Sequence, residues 1–296
     1  MATSEISPSE TLPPSIAIRA RQSVQQSWSA LQALTGEIRL QLGRRLMYRL
    51  LSRRHETSLR RFRQWREKLS GTTILCVGNG PSLREVDPDQ LDRFPALLTN
   101  HAARALPRRP AQLLGTVMTD DYRVLEATPL LPTWARPLIL SSHISTEGLM
   151  CSAAARIVRK AEFALRPVVD WVDGNWQLPG LRKIVMGNYN PGFETDLSRG
   201  LWLNRSVIFS TMQIACYLGA RRIVLIGVEM DYQGAHKHCV PNVKEIVPNF
   251  SYEREARPSF LLAKEACDKL GVEVVNATPG GRVDVFPRTS LAELKV

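Results

Sequence analysis

Two hydrophobic textures divide the chain. Over residues 15–70 the apolar positions Ile16, Ile18, Val24, Trp28, Leu31, Leu34, Ile38, Leu42, Leu46, Leu50 and Leu51 recur mostly three or four apart, with arginines between them. That spacing predicts a helix with one apolar stripe, open to interruption at Thr35-Gly36 and Gly43. From Gly71 onward the apolar residues fall instead into short runs: Thr72–Val77, Ala96–Thr99, Leu114–Met118, Pro137–Ser141, Lys183–Met186, Ile223–Val228 and Val272–Val275. These predict strands, and a run without alternation, such as Ile223–Val228, predicts burial on both faces, the habit of parallel sheets. Ser206–Leu218 and Ser259–Leu270 carry helical spacing, and each is stopped by a glycine, Gly219 and Gly271.

Strands alternating with helices predict an α/β fold: a Rossmann-like open, mostly parallel sheet with helices on both faces, plus an N-terminal helical appendage. Ligands of such sheets bind at the carboxyl ends of the strands. The expected division is a Ser/Pro/Glu-rich disordered tail over 1–14, a basic amphipathic helical segment over 15–70 and the sheet domain over 71–296.

Charge sharpens this division. The 296 residues carry a formal +11, yet residues 15–70 alone hold 13 Lys and Arg against 3 Glu. With Glu5 and Glu10 in the tail, only +3 is left for the sheet domain. The basicity therefore belongs to the appendage. Its partners are its own core or a second copy of the chain, making a homo-oligomer, or an anionic membrane surface. Nucleic acid is not expected, because no basic patch with interleaved aromatics and no recognition signature follows. With 44% apolar and 23% charged residues the chain is neither collagenous nor wholly disordered. Five scattered cysteines without a Cys-x-x-Cys argue against a disulfide framework and a zinc ribbon, which fits a reducing compartment. The apolar runs are far shorter than the roughly 20 residues of a membrane span. The first residues lack the basic and apolar regions of a secretory signal. The expected location is the cytoplasm, peripheral on the inner membrane if the appendage takes the membrane.

The sharpest local signal is Gly78-Asn79-Gly80-Pro81-Ser82-Leu83, directly after the first strand. Glycines let backbone amides approach a ligand, and proline followed by serine suits a helix start, where amides and dipole favour phosphate. The run is not a Walker A loop, and Leu83 stands where a third glycine would complete the dinucleotide fingerprint. Asn100, about twenty residues on, is placed to meet ribose or base, or to cap the next helix. Asp120 and Asp121 close the third strand as candidates for Mg²⁺ or a ligand hydroxyl, or as a helix cap. Glu229 and Asp231 follow the buried strand, and at least one carboxylate is expected in the crevice. His236 and His238 share one face of an extended segment and are candidates for proton transfer or phosphate contact. Thr278, with Gly280 in the turn beyond it, follows the last strand.

Taken together, Gly-Asn-Gly-Pro-Ser-Leu after a strand, the Ser206-containing helix running into Leu218-Gly219-Ala220-Arg221-Arg222-Ile223-Val224-Leu225-Ile226-Gly227-Val228-Glu229, and the closing Asn276-Ala277-Thr278-Pro279-Gly280-Gly281 with Val285-Phe286-Pro287 resemble the MptE-like superfamily. That group holds 6-hydroxymethylpterin diphosphokinase-like proteins, motility-associated glycosyltransferases and, more distantly, bacterial CMP-sialic acid-dependent sialyltransferases. The resemblance covers residues 71–292. It implies a transferase that binds a nucleotide or nucleotide-sugar, CMP- or UDP-linked ahead of others, through Gly78, Asn79, Gly80, Ser82 and Asn100. Asp120 replaces the sialyltransferases' third-strand asparagine, and Ser206, Glu229, Thr278 and Gly280 complete the expected set. The sialyltransferase histidine base lies shortly after a Pro-Asn-Phe. Here Pro248-Asn249-Phe250 is followed by Ser251-Tyr252-Glu253-Arg254-Glu255 without one, so the base falls to His236, His238 or Glu253.

The favoured expectation is a nucleotide-sugar-dependent glycosyltransferase of bacterial surface-glycan or lipopolysaccharide assembly, with a glycan or lipid-linked acceptor. The basic appendage suits such acceptors at a membrane face. The alternatives are an MptE-like diphosphokinase, with Asp120 and Asp121 on Mg²⁺ and ATP as donor, and a non-catalytic nucleotide-binding protein.

Overall fold

The structure is a computed structural model, and it describes residues 53–141, 161–165, 170–172, 175–177, 191–232, 238–241, 243 and 251–295. The chain divides between Leu46 and Met47, and every described residue lies in the second unit. The candidate strand Lys183–Met186 lies outside the described residues.

A seven-stranded, all-parallel sheet organises that unit. Its strands are β1 (Thr73–Val77), β2 (Ala96–Thr99), β3 (Leu113–Met118), β4 (Leu138–Leu140), β5 (Phe163–Ala164), β8 (Arg222–Ile226) and β9 (Glu273–Asn276), in the order β5-β4-β3-β2-β1-β8-β9. A separate antiparallel pair joins β6 (Asp170–Val172) to β7 (Asn175–Gln177). Six of the seven candidate strands correspond to these elements, whereas β5, β6 and β7 are too short to leave a pattern in the sequence. Chain order runs outward from β1 on one side and resumes with β8 on the other, so direction reverses between β1 and β8. Register across this seam pairs Thr73 with Arg222 and Val77 with Ile226, which brings the two carboxyl ends out level.

Side chains explain why both faces are covered. Residues at one parity, Ile74, Cys76, Leu97, Val117, Ile223, Leu225 and Val274, pack with α1 (residues 53–69), α5 (Ile208–Tyr217) and α6 (Arg257–Lys269). The opposite parity, Leu75, Val77, Leu98, Val224, Ile226 and Val275, packs under α2 (Pro88–Leu91), α3 (Ala102–Ala105) and the C-terminal residues Leu291 and Leu294. A smaller cluster sets α4 (Asp121–Ala127) against β3 and β4. Successive strand residues point to opposite faces, so a run buried on both must be apolar throughout.

Residues 53–69, which the charge count groups with the appendage, pack on the sheet. Leu59 and Phe62 are buried, and the Phe62 ring stacks 4.8 Å from Phe163. Helices α5 and α6 end where the sequence expects: Gly219 (φ +80°) and Gly271 (φ +68°) take the left-handed conformation that closes a helix and turns the chain into the next strand. The segment after the glycine turn does enter a helix at Pro81, but a five-residue 3-10 one, Pro81–Glu85, followed by the four-residue α2.

Candidate functional site

The crevice lies where strand order reverses, above the carboxyl ends of β1 and β8. It is lined by Gly78, Asn79, Gly80, Thr99, Ser206, Val207, Ile208, Gly227, Val228, Glu229, Met230, Asp231, Tyr232 and His238. Of the residues expected at a site, the structure therefore brings together Gly78, Asn79, Gly80, Ser206, Glu229, Asp231 and His238.

The glycines are explained by two loop backbones that cross in contact. Gly78 N donates to Ile226 O (2.7 Å) and Gly80 N to Gly227 O (2.9 Å). A Cβ on Gly78 would overlap the Gly227 carbonyl. One on Gly80 would overlap the Glu229 carboxylate and lie 2.8 Å from Gly227 O. Ser82 N donates to Glu229 Oε1 (2.8 Å). Gly78, Gly80 and Ser82 thus spend their amides inside the fold, so these three donors are not open to a ligand. Glu229 is 8% exposed, and its Oε2 and the Ser82 hydroxyl are buried without a partner among the described residues.

What the turn presents to the crevice is Asn79. Its carbonyl accepts from Cys239 N (2.7 Å), its Nδ2 lies 3.2 Å from His238 Nδ1, and Arg84 Nε donates to Cys239 O (2.6 Å). Three hydrogen bonds therefore hold His238 and Cys239 to the residues around the turn. The Tyr232 ring stands 6.2 Å from the His238 ring, edge-on. Met230 adopts φ +52°, a left-handed conformation uncommon outside glycine, as the chain leaves β8.

The opposite wall is the start of α5. Buried Gln213 fastens the preceding loop, accepting from Trp202 N (2.9 Å) and Glu194 N (3.1 Å) and donating to Trp202 O (2.9 Å). Arg205, next to the lining Ser206, pairs with Glu255 at 3.0 Å.

Other expected site residues are engaged elsewhere. Thr278 is buried, and its hydroxyl accepts from Val228 N (3.1 Å), so it braces the crevice from behind. Gly280 is exposed, with its carbonyl accepting from Arg288 (2.6 Å). Asp120 accepts from Arg123 N (3.1 Å) as the cap of α4. The Asp121 side chain lies outside what is described, and among the described residues no group of three His, Cys, Asp or Glu side chains comes together to hold a metal ion. Glu253 pairs with Arg282 (2.7 Å) on an exposed face away from the crevice lining. His236 and Pro248-Asn249-Phe250 lie outside the described residues. Asn100 follows the lining Thr99 with φ +40° and a buried Oδ1 that has no partner among the described residues.

Arg84, Thr99, Tyr232 and Gln213 are the contributors that sequence reasoning missed. Tyr232 carried a signal in its place just after a buried strand, whereas Arg84 and Gln213 act through contacts that no spacing encodes.

Beside the crevice, His101 is fully buried, with Nε2 3.4 Å from Glu126 Oε2 and Nδ1 3.2 Å from an Arg104 guanidinium nitrogen. Burial depresses its pKa, against the pull of Glu126, with Arg104 and Arg123 adding to the lowering. The described cysteines Cys76, Cys216, Cys239 and Cys267 are free and buried, and burial pushes the Cys76 and Cys239 thiols up to about 12. No helix among the described residues is long and apolar enough to cross a membrane.

No family model matches the chain, and no curated protein matches it. Two solved structures are similar to it. The MAf glycosyltransferase from Magnetospirillum magneticum AMB-1 is 14% identical, with a TM-score of 0.43 over 77% of this chain and 35% of that one. The sialyltransferase CstII from Campylobacter jejuni, in complex with a substrate analogue, cytidine-5'-monophosphate, is 12% identical, with a TM-score of 0.44 over 75% of this chain and 86% of that one. The chain thus spans about a third of the first and most of the second.

Proposed function

We propose that the chain is a nucleotide-sugar-dependent glycosyltransferase that builds bacterial surface glycan or lipopolysaccharide. The observation that carries this reading is the crevice at the β1/β8 reversal, with Asn79, Ser206 and His238 around one opening. Doubly wound sheets bind nucleotides at that position because the loops part where chain direction reverses. Donor phosphate is assigned to Asn79 and Ser206, just ahead of α5, where the helix dipole favours an anion. Asn100 is assigned to ribose or base, since its buried Oδ1 has no hydrogen-bond donor among the described residues. His238 is the candidate partner of the departing phosphate, and His236 is the remaining candidate for a base. The acceptor is a glycan or lipid-linked hydroxyl, and the donor is CMP- or UDP-linked.

The diphosphokinase reading rests on Asp120 and Asp121, of which Asp120 accepts from Arg123 N through Oδ1 as the cap of α4. The test is a thermal-shift screen against CMP, UDP, GDP and ATP with and without Mg²⁺, followed by hydrolysis of the matching nucleotide-sugar. A ligand that binds only the folded state raises Tm. CMP or UDP is expected to stabilise the protein, and Asn79→Ala is expected to abolish stabilisation and turnover without loss of fold. Stabilisation by Mg-ATP alone would transfer the site to the diphosphokinase class, and nucleotide binding without turnover would make it a binding protein.

A further inference from the structure

An anionic ligand in the crevice meets a problem of charge. Among its described lining residues Glu229 and Asp231 are acids, and none is a lysine or an arginine. A phosphate beside two carboxylates is repelled unless a cation joins it, so the cation must come from just outside the lining. Arg84, on the turn, already donates to Cys239 O (2.6 Å). Arg205 directly precedes the lining Ser206 and meets Glu255, Nε to Oε2, at 3.0 Å. This contact is close without being a hydrogen bond: both atoms are buried, and neither has a hydrogen-bond partner among the described residues. By contrast, the more exposed pairs Arg222–Glu273 (2.6 Å) and Arg282–Glu253 (2.7 Å) are hydrogen-bonded. A half-buried ion pair recovers its lost hydration only through good hydrogen-bond geometry, so Arg205 gains from a better-aligned anion.

We propose that Arg205 is the cation of this site, that it binds the phosphate of a ligand lying beside Ser206, and that Glu255 competes with that phosphate for it. The identity of the ligand rests on the nucleotide-sugar reading; the recognition of an anion by Arg205 does not. Glu255 is fixed from elsewhere. It sits on the single π turn Tyr252–Ala256, where Tyr252 Oη donates to Asp284 Oδ1 (2.6 Å) and Glu253 accepts from Arg282 (2.7 Å). A guanidinium offers its five N–H donors as a planar fork that suits a phosphate, whereas the Glu255 carboxylate meets it out of alignment. Because a carboxylate beside the guanidinium cancels part of its field, Glu255 weakens the site it adjoins. The two residues therefore have opposite effects on anion affinity, which a merely structural ion pair would not show.

The experiment is calorimetric titration of the full chain with CMP, with cytidine, which lacks the phosphate, and with inorganic pyrophosphate, an anion without a nucleoside. Arg205→Gln is expected to weaken CMP and pyrophosphate by about tenfold or more, the usual worth of a hydrogen bond to a charged group, and to leave cytidine within about twofold. Glu255→Gln, which keeps the shape and removes the charge, should tighten both anions by about two- to fivefold, the range of a partly exposed ion pair. In the double variant that gain should vanish. Anion affinity that falls or stays unchanged in Glu255→Gln would overturn the inference, whether or not Arg205→Gln folds. So would CMP affinity unchanged in a folded Arg205→Gln, or a gain that persists without Arg205. If CMP fails to bind while pyrophosphate responds to both substitutions as expected, the nucleotide reading alone falls; if neither anion binds, both fall.

Discussion

At the residue scale, the glycine turn shows how one motif can arise for a reason other than the one it advertises. Gly-Asn-Gly reads as a ligand cradle, yet its glycines are needed where two loops cross, and Glu229 takes the amide that an anion would want. Gly80→Ala is therefore expected to cost about 1–3 kcal/mol, the usual range for overpacking. In a Glu229→Ala background the same change should cost less, because one of its two clashes is gone. Urea unfolding of the four variants in this cycle measures the coupling, and strict additivity would contradict the contact. His101 supplies a pH prediction. Its folded pKa is lowered from 6.5, so the unfolded chain takes up the proton first as pH falls. The contribution is complete above about pH 6.5 and declines as pH drops towards the folded value. The urea midpoint should fall between about pH 7.5 and about pH 5.5, and less so in His101→Asn; equal slopes in the two proteins would show that His101 is not responsible.

At the element scale, helices belong to the sheet by what they bury. Phe62 on α1 is fully buried and stacks on Phe163 of β5, the edge strand that left no pattern. Phe62→Ala is expected to lower unfolding free energy by about 3–5 kcal/mol, the range for emptying a buried aromatic site. A loss under about 1 kcal/mol in equilibrium urea unfolding would detach α1 from the core. Helices α5 and α6 were legible because 3.6-residue spacing and a closing glycine are local signals, and β1, β2, β8 and β9 because burial on both faces demands unbroken apolar runs. The 3-10 turn Pro81–Glu85 was not legible. Proline suits the first position of either helix type, and only the Ser82–Glu229 bond and the buried Leu83 show how tightly the turn is drawn down.

At the scale of the whole molecule, charge and fold are separated along the chain. Residues 15–70 carry nearly all the net positive charge, and on α1 the exposed Arg53, Arg60, Arg63 and Lys68 face away from the buried Leu59 and Phe62. Since the apolar stripe of α1 is already buried in the protein, any pull of this helix on a membrane is electrostatic. The full chain is expected to sediment with phosphatidylglycerol vesicles at about 0.1 M salt and to release at about 0.5 M, where screening is shorter-ranged. Equal binding to phosphatidylcholine vesicles, or binding indifferent to salt, would sink the electrostatic account.

The sequence by itself determined the α/β class, most strands of the parallel sheet and the ends of both long helices, and it singled out the glycine turn, Glu229 and Ser206, which line the crevice. Each is written in local periodicity or in adjacency to a buried strand. Tertiary structure alone decided that the Thr278 hydroxyl accepts from Val228 N, that Glu253 pairs with Arg282 away from the crevice lining, and that Asn79 meets His238 across 159 positions of chain. The physical reason is that hydrogen-bond partners and burial are set by the order in which strands assemble. That order, with β8 beside β1, is fixed by the packing of both sheet faces at once and leaves no trace in the spacing of residues along the chain.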